Sequence, residues 1–144
     1  MSTMKAARVI EFHAPYKIES IPIPKPDADQ LLVKTGAAGF CHTGMSNNVQ
    51  LLTMDIDLMI KDGDFHSPLP LTGSHEPCGT VVEVGSKVKG FKKGDRIGTL
   101  PFMHPCGECP DCKSGTDSYC DNMKGAMGIN TDGAFSEVDT PIGR

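Results

Sequence analysis

Four closely spaced cysteines place the strongest constraint on how this chain of 144 residues can fold. They are Cys106, Cys109, Cys112 and Cys120, separated by two gaps of two residues and one of seven. Zinc binds four sulfur ligands at the corners of a tetrahedron, and cysteines on turns rich in glycine and proline can surround one ion without help from a large core. Because four thiolates leave no open coordination position, this four-cysteine lobe predicts a structural zinc site that contributes folding energy rather than chemistry.

Two disulfides or an iron–sulfur cluster are the alternative uses of the same four residues. The N-terminal sequence MSTMKAARVIEF interrupts its apolar residues with charges, and no apolar run is long enough for a signal peptide or a membrane span. We therefore expect a cytoplasmic protein, whose reducing surroundings disfavour disulfides. Iron–sulfur motifs use other cysteine spacings. Zinc is the favoured interpretation.

The composition excludes several classes of protein. With 38% hydrophobic and 22% charged residues, the chain has the balance of a folded globular domain and not that of a disordered segment. Its length suits one domain. The net charge is −4 and no run of Lys and Arg occurs, so we expect neither a nucleic-acid partner nor a membrane partner.

Short β-prone runs recur between turn signals, which favours a β-barrel or sandwich with few helices. The chain has 16 glycines and 11 prolines, enough for many tight corners. The apolar residues of Met45–Lys61 fit a helical stripe as well as a strand alternation, so both structures stay open there. The predicted strands are Lys5–Phe12, Tyr16–Ile23, Gln30–Ala38, Thr80–Val84, Asp95–Leu100 and Ala134–Val138.

A second group of metal-binding residue types lies outside the four-cysteine lobe. Cys41 and His42 occur in GFCHTG after a predicted strand, and His75 and Glu76 occur in GSHEPCG before another. Cysteine, histidine and a nearby carboxylate are the ligands of open, catalytic zinc sites. Taken alone, either fragment is explained as well by packing or by a polar loop.

The order of these motifs resembles that of the zinc-dependent medium-chain alcohol dehydrogenases. The matching elements are GFCHTG, a DGD followed by PLPL, GSHEPCGTVVEVGSKVKGFKKGDRIG, the four-cysteine lobe and TDGAFSE. The resemblance covers nearly the whole chain and is closest to the fungal, yeast-type branch. It implies one mainly β domain over residues 1–144, a GroES-like β-barrel with a structural-zinc lobe and few short helices.

The resemblance also implies roles for individual residues. Cys41 and His75 would be ligands of a catalytic zinc, with Glu76 as a carboxylate just outside the ligand set. Thr43 would pass the alcohol proton toward solvent, and His42 would lie near the phosphates of NAD. Zinc acting as a Lewis acid stabilises an alkoxide, which lets hydride leave a small primary alcohol for the nicotinamide. The alternative for Thr43 is a residue that satisfies a turn.

Three departures from the family pattern weaken the predicted catalytic site. The third zinc ligand of the family is a cysteine beyond the lobe, and this chain ends at Arg144 without reaching it. Cys78 is the remaining candidate, although a small buried core residue is the favoured interpretation. Gly44 stands where the pattern has an aspartate that orients the histidine ligand, so we expect His75 to be poorly held.

The third departure concerns spacing, because Cys41 and His75 are 34 positions apart, farther than in the pattern. The surplus coincides with residues 44–61, which we interpret as an insertion. If it loops out, the ligands can still converge, since each doubling of loop length costs only about 0.6 kcal/mol. If it enters the substrate cleft, they cannot.

Two functions remain in competition. No Gly-x-Gly-x-x-Gly motif follows a strand, so we expect the nucleotide-binding half to be missing and hypothesise a truncated or mis-spliced product. The first function is the zinc-binding catalytic domain of an NAD-dependent alcohol dehydrogenase, inactive as this chain. The second is a non-catalytic zinc-binding module or a non-functional fragment. The sequence does not specify an oligomeric state.

Overall fold

The computed structural model describes residues 2–41 and 56–139. Within these ranges the regular elements are nine short strands, two short helices and one 3₁₀ turn. In chain order they are β1 (Thr3–Val9), β2 (Lys17–Pro22), β3 (Leu31–Ala38), α1 (Ile56–Asp62), β4 (Leu71–Thr72), β5 (Pro77–Val84), β6 (Arg96–Gly98), β7 (Phe102–Met103), α2 (Pro110–Ser114), the 3₁₀ turn (Asp117–Tyr119), β8 (Gly125–Ala126) and β9 (Val138–Asp139).

The strands form three antiparallel sheets. One has the order β2-β1-β4, the second β6-β5-β3-β9, and the third consists of β7 and β8. A bridge between Ala6 and Ser136 connects β1 to the segment before β9. The mainly β class predicted from the sequence, with few short helices, is confirmed.

Most of the longer predicted strands are present. Strands β1, β2, β3, β5 and β6 fall on predicted runs, whereas β9 overlaps the run Ala134–Val138 only at its last residue. The two-residue strands β4, β7 and β8 were not predicted, because two residues are too short to show an alternation of apolar and polar side chains. None of the described helices has the length and apolar character needed to span a bilayer.

The core consists of two apolar clusters. Val9, Ile60 and Leu71 form one, and Leu31, Val33 and Val81 form the other, each wholly or almost wholly buried. Burying a side chain of this size stabilises a fold by about 1.5–3 kcal/mol. The two clusters therefore fix β1, α1 and β4 together on one side and β3 with β5 on the other.

Helix α1 begins inside the segment 44–61 that the sequence indicates as an insertion. Ile60 on this helix has no exposed surface and packs against Val9 and Leu71. Residues 44–55 lie outside the described residues. The insertion over residues 44–61 stays a prediction, and within it Ile56 and Ile60 pack in the core of the domain.

Candidate functional site

The four cysteines of the lobe converge around one point. Their sulfur atoms lie within 4.8 Å of one another, with Cys120 buried and Cys106 exposed. All four are free thiols, and the sulfurs of Cys106 and Cys112 are 4.0 Å apart, about twice the length of a disulfide bond. The arrangement is that of separate sulfur donors around a common centre, as the spacing predicts for zinc, and not that of two disulfides.

Local structure explains why the four sulfurs meet. Cys109 is the N-cap residue of α2, and its sulfur accepts a hydrogen bond from the backbone N–H of Cys112 at 3.5 Å. Pro110 occupies the first turn, where a missing N–H costs nothing. The 3₁₀ turn then brings Cys120 back, and its sulfur accepts the N–H of Cys106 at 3.2 Å. Two short helical turns thus fold the lobe around its sulfurs.

The pKa values of two thiols in the lobe, Cys106 and Cys112, are shifted in opposite directions. Backbone N–H groups of Glu108 and Cys109 point at the sulfur of Cys106 and lower its pKa to about 6. Loss of solvation raises the pKa of Cys112 to about 12. Four sulfurs this close cannot all ionise unless a cation balances their charge. The donor set therefore fits a thiophilic divalent metal ion such as zinc.

The second group comprises Cys41, His75 and Glu76. One ligand atom from each lies within 4.8 Å of the others. Cys41 and His75 are buried, whereas Glu76 is exposed, so the cluster is open to solvent on its carboxylate side. A thiol, an imidazole and a carboxylate in contact range are a three-donor set with room for a further ligand.

Strand pairing explains how residues 34 positions apart meet. Strand β3 ends at Ala38 and β5 begins at Pro77, and these two residues are directly paired. Cys41 lies just beyond the end of β3, and His75 and Glu76 lie just before β5. A register irregularity between Thr35 and Ala37 bends the end of β3. The loop that carries Cys41 and the loop that carries His75 and Glu76 therefore lie at the same end of the paired strands β3 and β5.

Gly39 is required by the close packing of these loops. Its N–H donates to the carbonyl of Glu76 at 2.9 Å. A Cβ atom at Gly39 would lie only 2.1 Å from the Glu76 Oε2 atom, so no other residue fits without displacing that carboxylate. The glycine permits Glu76 to lie directly against the Cys41 loop.

Asp57 is a site residue that the sequence analysis missed. Its side chain is fully buried in α1, with Oδ2 accepting the N–H of Cys41 at 2.9 Å and Oδ1 accepting the N–H of Ser74 at 3.1 Å. Burial raises the pKa of this carboxyl, while the two N–H donors and His75 oppose the increase. Asp57 joins the loop of Cys41 to the residue that precedes His75.

The expectation that Gly44 leaves His75 poorly held stays a prediction, because the hydrogen bond from this loop to Asp57 comes from the N–H of Ser74. An acidic group adjacent to His75 is present, supplied from α1 and not from the position after Thr43. The available signal was an aspartate within the apolar run Ile56–Ile60, because a buried carboxylate must find hydrogen-bond donors. His42 and Thr43 lie outside the described residues, so their roles stay predictions.

Two further observations bear on the ligand set. The Nδ1 atom of His75 is buried and has no hydrogen-bond partner among the described residues, which leaves it available to bind a metal ion. Cys78 is exposed and lies outside the described clusters of metal-binding side chains, so the predicted burial of Cys78 in the core is wrong. It faces Gly98 across the β5–β6 pair. The residues present fit zinc without Cys78.

Comparison with known proteins agrees with this geometry. The family described as the alcohol dehydrogenase GroES-like domain matches residues 27–140. An NAD-dependent alcohol dehydrogenase of Sulfurisphaera tokodaii is 39% identical over 140 residues, covering 93% of this chain and 37% of the relative. Alcohol dehydrogenase 2 of Caenorhabditis elegans is 36% identical, covering 96% of this chain and 36% of the relative. The chain thus spans about 37% of the length of such relatives.

Solved structures show the same similarity. The alcohol dehydrogenase of Aeropyrum pernix superposes with a TM-score of 0.79 at 32% identity, covering 96% of this chain and 37% of that protein. A protein of Sinorhizobium meliloti, provisionally described as a zinc-binding dehydrogenase and solved with NADP, gives 0.79 at 37% identity, covering 99% and 37%. The GroES-like fold is confirmed. These archaeal, bacterial and nematode relatives lend no support to the fungal, yeast-type branch expected from the sequence.

Proposed function

Because this chain belongs to the alcohol dehydrogenase GroES-like domain family, we propose that it is the zinc-binding catalytic domain of an NAD-dependent alcohol dehydrogenase. The proposed reaction is oxidation of a small primary alcohol to an aldehyde with hydride transfer to NAD. The observation that carries the proposal is the convergence of Cys41, His75 and Glu76 in an open cluster, in addition to the closed four-cysteine lobe. These are the two kinds of zinc site found in proteins, catalytic and structural.

The four-cysteine lobe would hold the structural zinc. The backbone N–H groups of Glu108 and Cys109 lower the pKa of Cys106, which favours the thiolate form of that ligand. Four sulfur donors exclude a bound water or substrate. The lobe is therefore assigned to stability and not to turnover.

The open cluster would hold the catalytic zinc with Glu76 as a direct third donor. The family resemblance implies that Glu76 is a carboxylate just outside the ligand set, whereas a direct ligand is proposed here. The short distances from Glu76 to Cys41 and His75 support a carboxylate that completes three protein ligands. When bound, zinc acts as a Lewis acid that stabilises an alkoxide.

The chain's own residues position that chemistry. Asp57 orients the loops of Cys41 and His75 through two backbone N–H groups. The exposed side of the cluster, at Glu76, gives an alcohol access to it. We retain Thr43 as the proton relay and His42 as a contact to the NAD phosphates, both on the family resemblance alone.

A non-catalytic zinc-binding module is the second candidate function. The described residues form three antiparallel sheets and no parallel sheet with flanking helices of the kind that binds a dinucleotide. Acting by itself, this chain would then bind zinc without oxidising alcohol. We place it in the cytosol, where the six cysteines remain reduced, with neither nucleic acid nor membrane as a partner.

A metal count combined with an activity assay tests the proposal. Purified chain saturated with zinc and freed of excess metal is expected to retain two zinc ions, one held tightly and one more weakly. One ion per chain would contradict the catalytic-site assignment. The same sample is then mixed with NAD and ethanol, and NADH formation is followed by absorbance. No turnover is expected from this chain alone, and any turnover above background would eliminate the module as the explanation.

A further inference from the structure

Ser74, the residue immediately before His75, has an unusual backbone conformation. Its φ angle is +71°, in the left-handed region that residues other than glycine rarely adopt. Its side chain is fully buried. Conformations of this kind persist only where the surrounding structure enforces them, and they occur preferentially at functional sites.

The backbone groups of Ser74 are held by three separate segments. Its N–H donates to Asp57 Oδ1 at 3.1 Å, and its carbonyl accepts the N–H of Ala134 at 3.1 Å. That carbonyl also packs against Gly128 and Gly133, where an added Cβ would lie 2.4 and 2.0 Å away. Helix α1, the turn at Gly128 and the segment before β9 therefore enforce the left-handed conformation.

The hydroxyl of Ser74 bridges the two loops that carry the candidate metal ligands. It donates to the carbonyl of Gly39 at 2.8 Å, two residues before Cys41. It also accepts the N–H of Glu76 at a longer distance of 3.4 Å. One side chain thus contacts the backbone on both sides of the cluster formed by Cys41, His75 and Glu76.

We propose that Ser74 is a positioning residue of the open metal centre, and that its hydroxyl sets the separation between the Cys41 loop and the His75–Glu76 loop. This inference rests on the proposed function, because it requires that the open cluster binds zinc. A hydroxyl that only satisfied buried backbone groups would leave metal affinity unchanged. If the hydroxyl positions the two loops, removing it should weaken zinc binding at this site and not at the four-cysteine lobe.

The test compares zinc affinity in three variants of the full chain. Ser74→Ala removes the hydroxyl and keeps the strained φ. Ser74→Gly removes the hydroxyl and accepts the φ without strain, so it remains folded if Ser74→Ala does not. Ser67→Ala is the matched control, because Ser67 is also a buried serine whose hydroxyl has no hydrogen-bond partner among the described residues.

Zinc affinity is measured by competition with a chromophoric chelator, with the four-cysteine lobe as the internal reference. Both Ser74 variants are expected to bind zinc about 10–100-fold more weakly at the open site, as is typical when a group that orients a ligand is lost. Affinity at the lobe should not change, and Ser67→Ala should match the original chain. With cobalt(II) in place of zinc, absorption from the single-thiolate site should shift while that from the four-thiolate lobe stays constant.

The possible outcomes distinguish failure of the Ser74 positioning role from failure of the proposed metal site. If the original chain binds two zinc ions and Ser74→Gly binds the second as tightly, the positioning role is wrong and the metal site survives. If the original chain binds only one ion, the proposed function and this inference are both wrong. A loss of affinity that is equal at both sites indicates general unfolding and also overturns the positioning role.

Discussion

The carboxylate of Asp57 accepts the backbone N–H of Cys41 at 2.9 Å, across 16 positions of sequence. Its other oxygen accepts the N–H of Ser74 beside His75. Because one buried side chain joins the loops of Cys41 and His75, the geometry of the proposed open metal centre depends on α1 as well as on the β3–β5 pair.

Replacing Asp57 by asparagine is expected to weaken the open site. The N–H groups of Cys41 and Ser74 bond to different oxygens of Asp57, and in asparagine one of those oxygens becomes an NH₂ group, which leaves one N–H facing another donor in the interior. We expect the free energy of unfolding to fall by about 1–3 kcal/mol. Zinc affinity at the open site should fall by about 10–100-fold. Denaturant unfolding and zinc competition measure the two effects.

Asp64→Asn is the matched control for Asp57→Asn, because Asp64 is exposed just after the same helix. It should leave both quantities unchanged. Equal zinc affinity in Asp57→Asn and the original chain would show that this carboxylate does not orient the ligand loops.

Replacing Cys120 by serine is expected to abolish metal binding at the lobe. Cys120 is the buried member of the four, and its sulfur accepts the N–H of Cys106. A hydroxyl is a poor replacement for a thiolate ligand, so the chain should retain one zinc fewer and unfold at a lower temperature. Metal analysis and thermal unfolding give the readouts.

Cys78→Ser serves as the control for the lobe, because Cys78 is an exposed cysteine outside both clusters. Its zinc content should equal that of the original chain. Loss of zinc from Cys78→Ser would instead assign that thiol to a metal site and contradict the ligand sets given above.

Adding a methyl group at Gly39 is expected to displace Glu76. The new Cβ would lie 2.1 Å from Oε2 and 2.9 Å from the Glu76 Cβ, so the Glu76 side chain must leave its present position. Overpacking of this kind costs about 1–3 kcal/mol of stability. If Glu76 is a direct ligand, zinc affinity at the open site falls in Gly39→Ala to a similar extent as in Glu76→Gln.

Gly36→Ala is the control within the same strand, because its added Cβ would meet only ordinary contacts, the nearest at 3.6 Å. Zinc affinity in this variant should be unchanged. An unchanged affinity in Gly39→Ala as well would place Glu76 outside the ligand set.

The pKa of Tyr16 is raised to about 12, first by burial and then by the charge of Asp57. A raised pKa means that the folded state favours the neutral phenol. The stability this contributes is complete below the ordinary tyrosine pKa of about 10 and is lost as pH rises toward about 12. Stability should therefore decline across that window, and less steeply in Tyr16→Phe than in the original chain.

The chain has two tyrosines, so the phenols can be observed separately. In Tyr119→Phe the only remaining tyrosine is Tyr16, and its tyrosinate absorbance should titrate with a midpoint near 12. Tyr119 is highly exposed, so this substitution should not perturb the fold. A midpoint near 10 in the folded variant would contradict the burial of Tyr16 against Asp57.

The four-cysteine lobe could be predicted from sequence because its chemistry is local. Cys106 and Cys120 are 14 positions apart, and the turns between them contain the residues that fold them back. The mainly β class and five strand positions could be predicted for a similar reason, since strand alternation and turn residues act over a few positions. The motif order also sufficed to indicate the family.

Only the tertiary structure decided how the open site is built. The approach of Glu76 to Cys41, the return of Asp57 after the segment 42–55, and the left-handed Ser74 all depend on the register of β3 against β5 and on α1 packing against Val9 and Leu71. These contacts join residues that are far apart in the chain. Their geometry depends on side-chain burial and backbone hydrogen bonds throughout the domain. A local pattern of residue types carries no information about these long-range contacts, so it could indicate candidate ligands but not the groups that hold their loops in place.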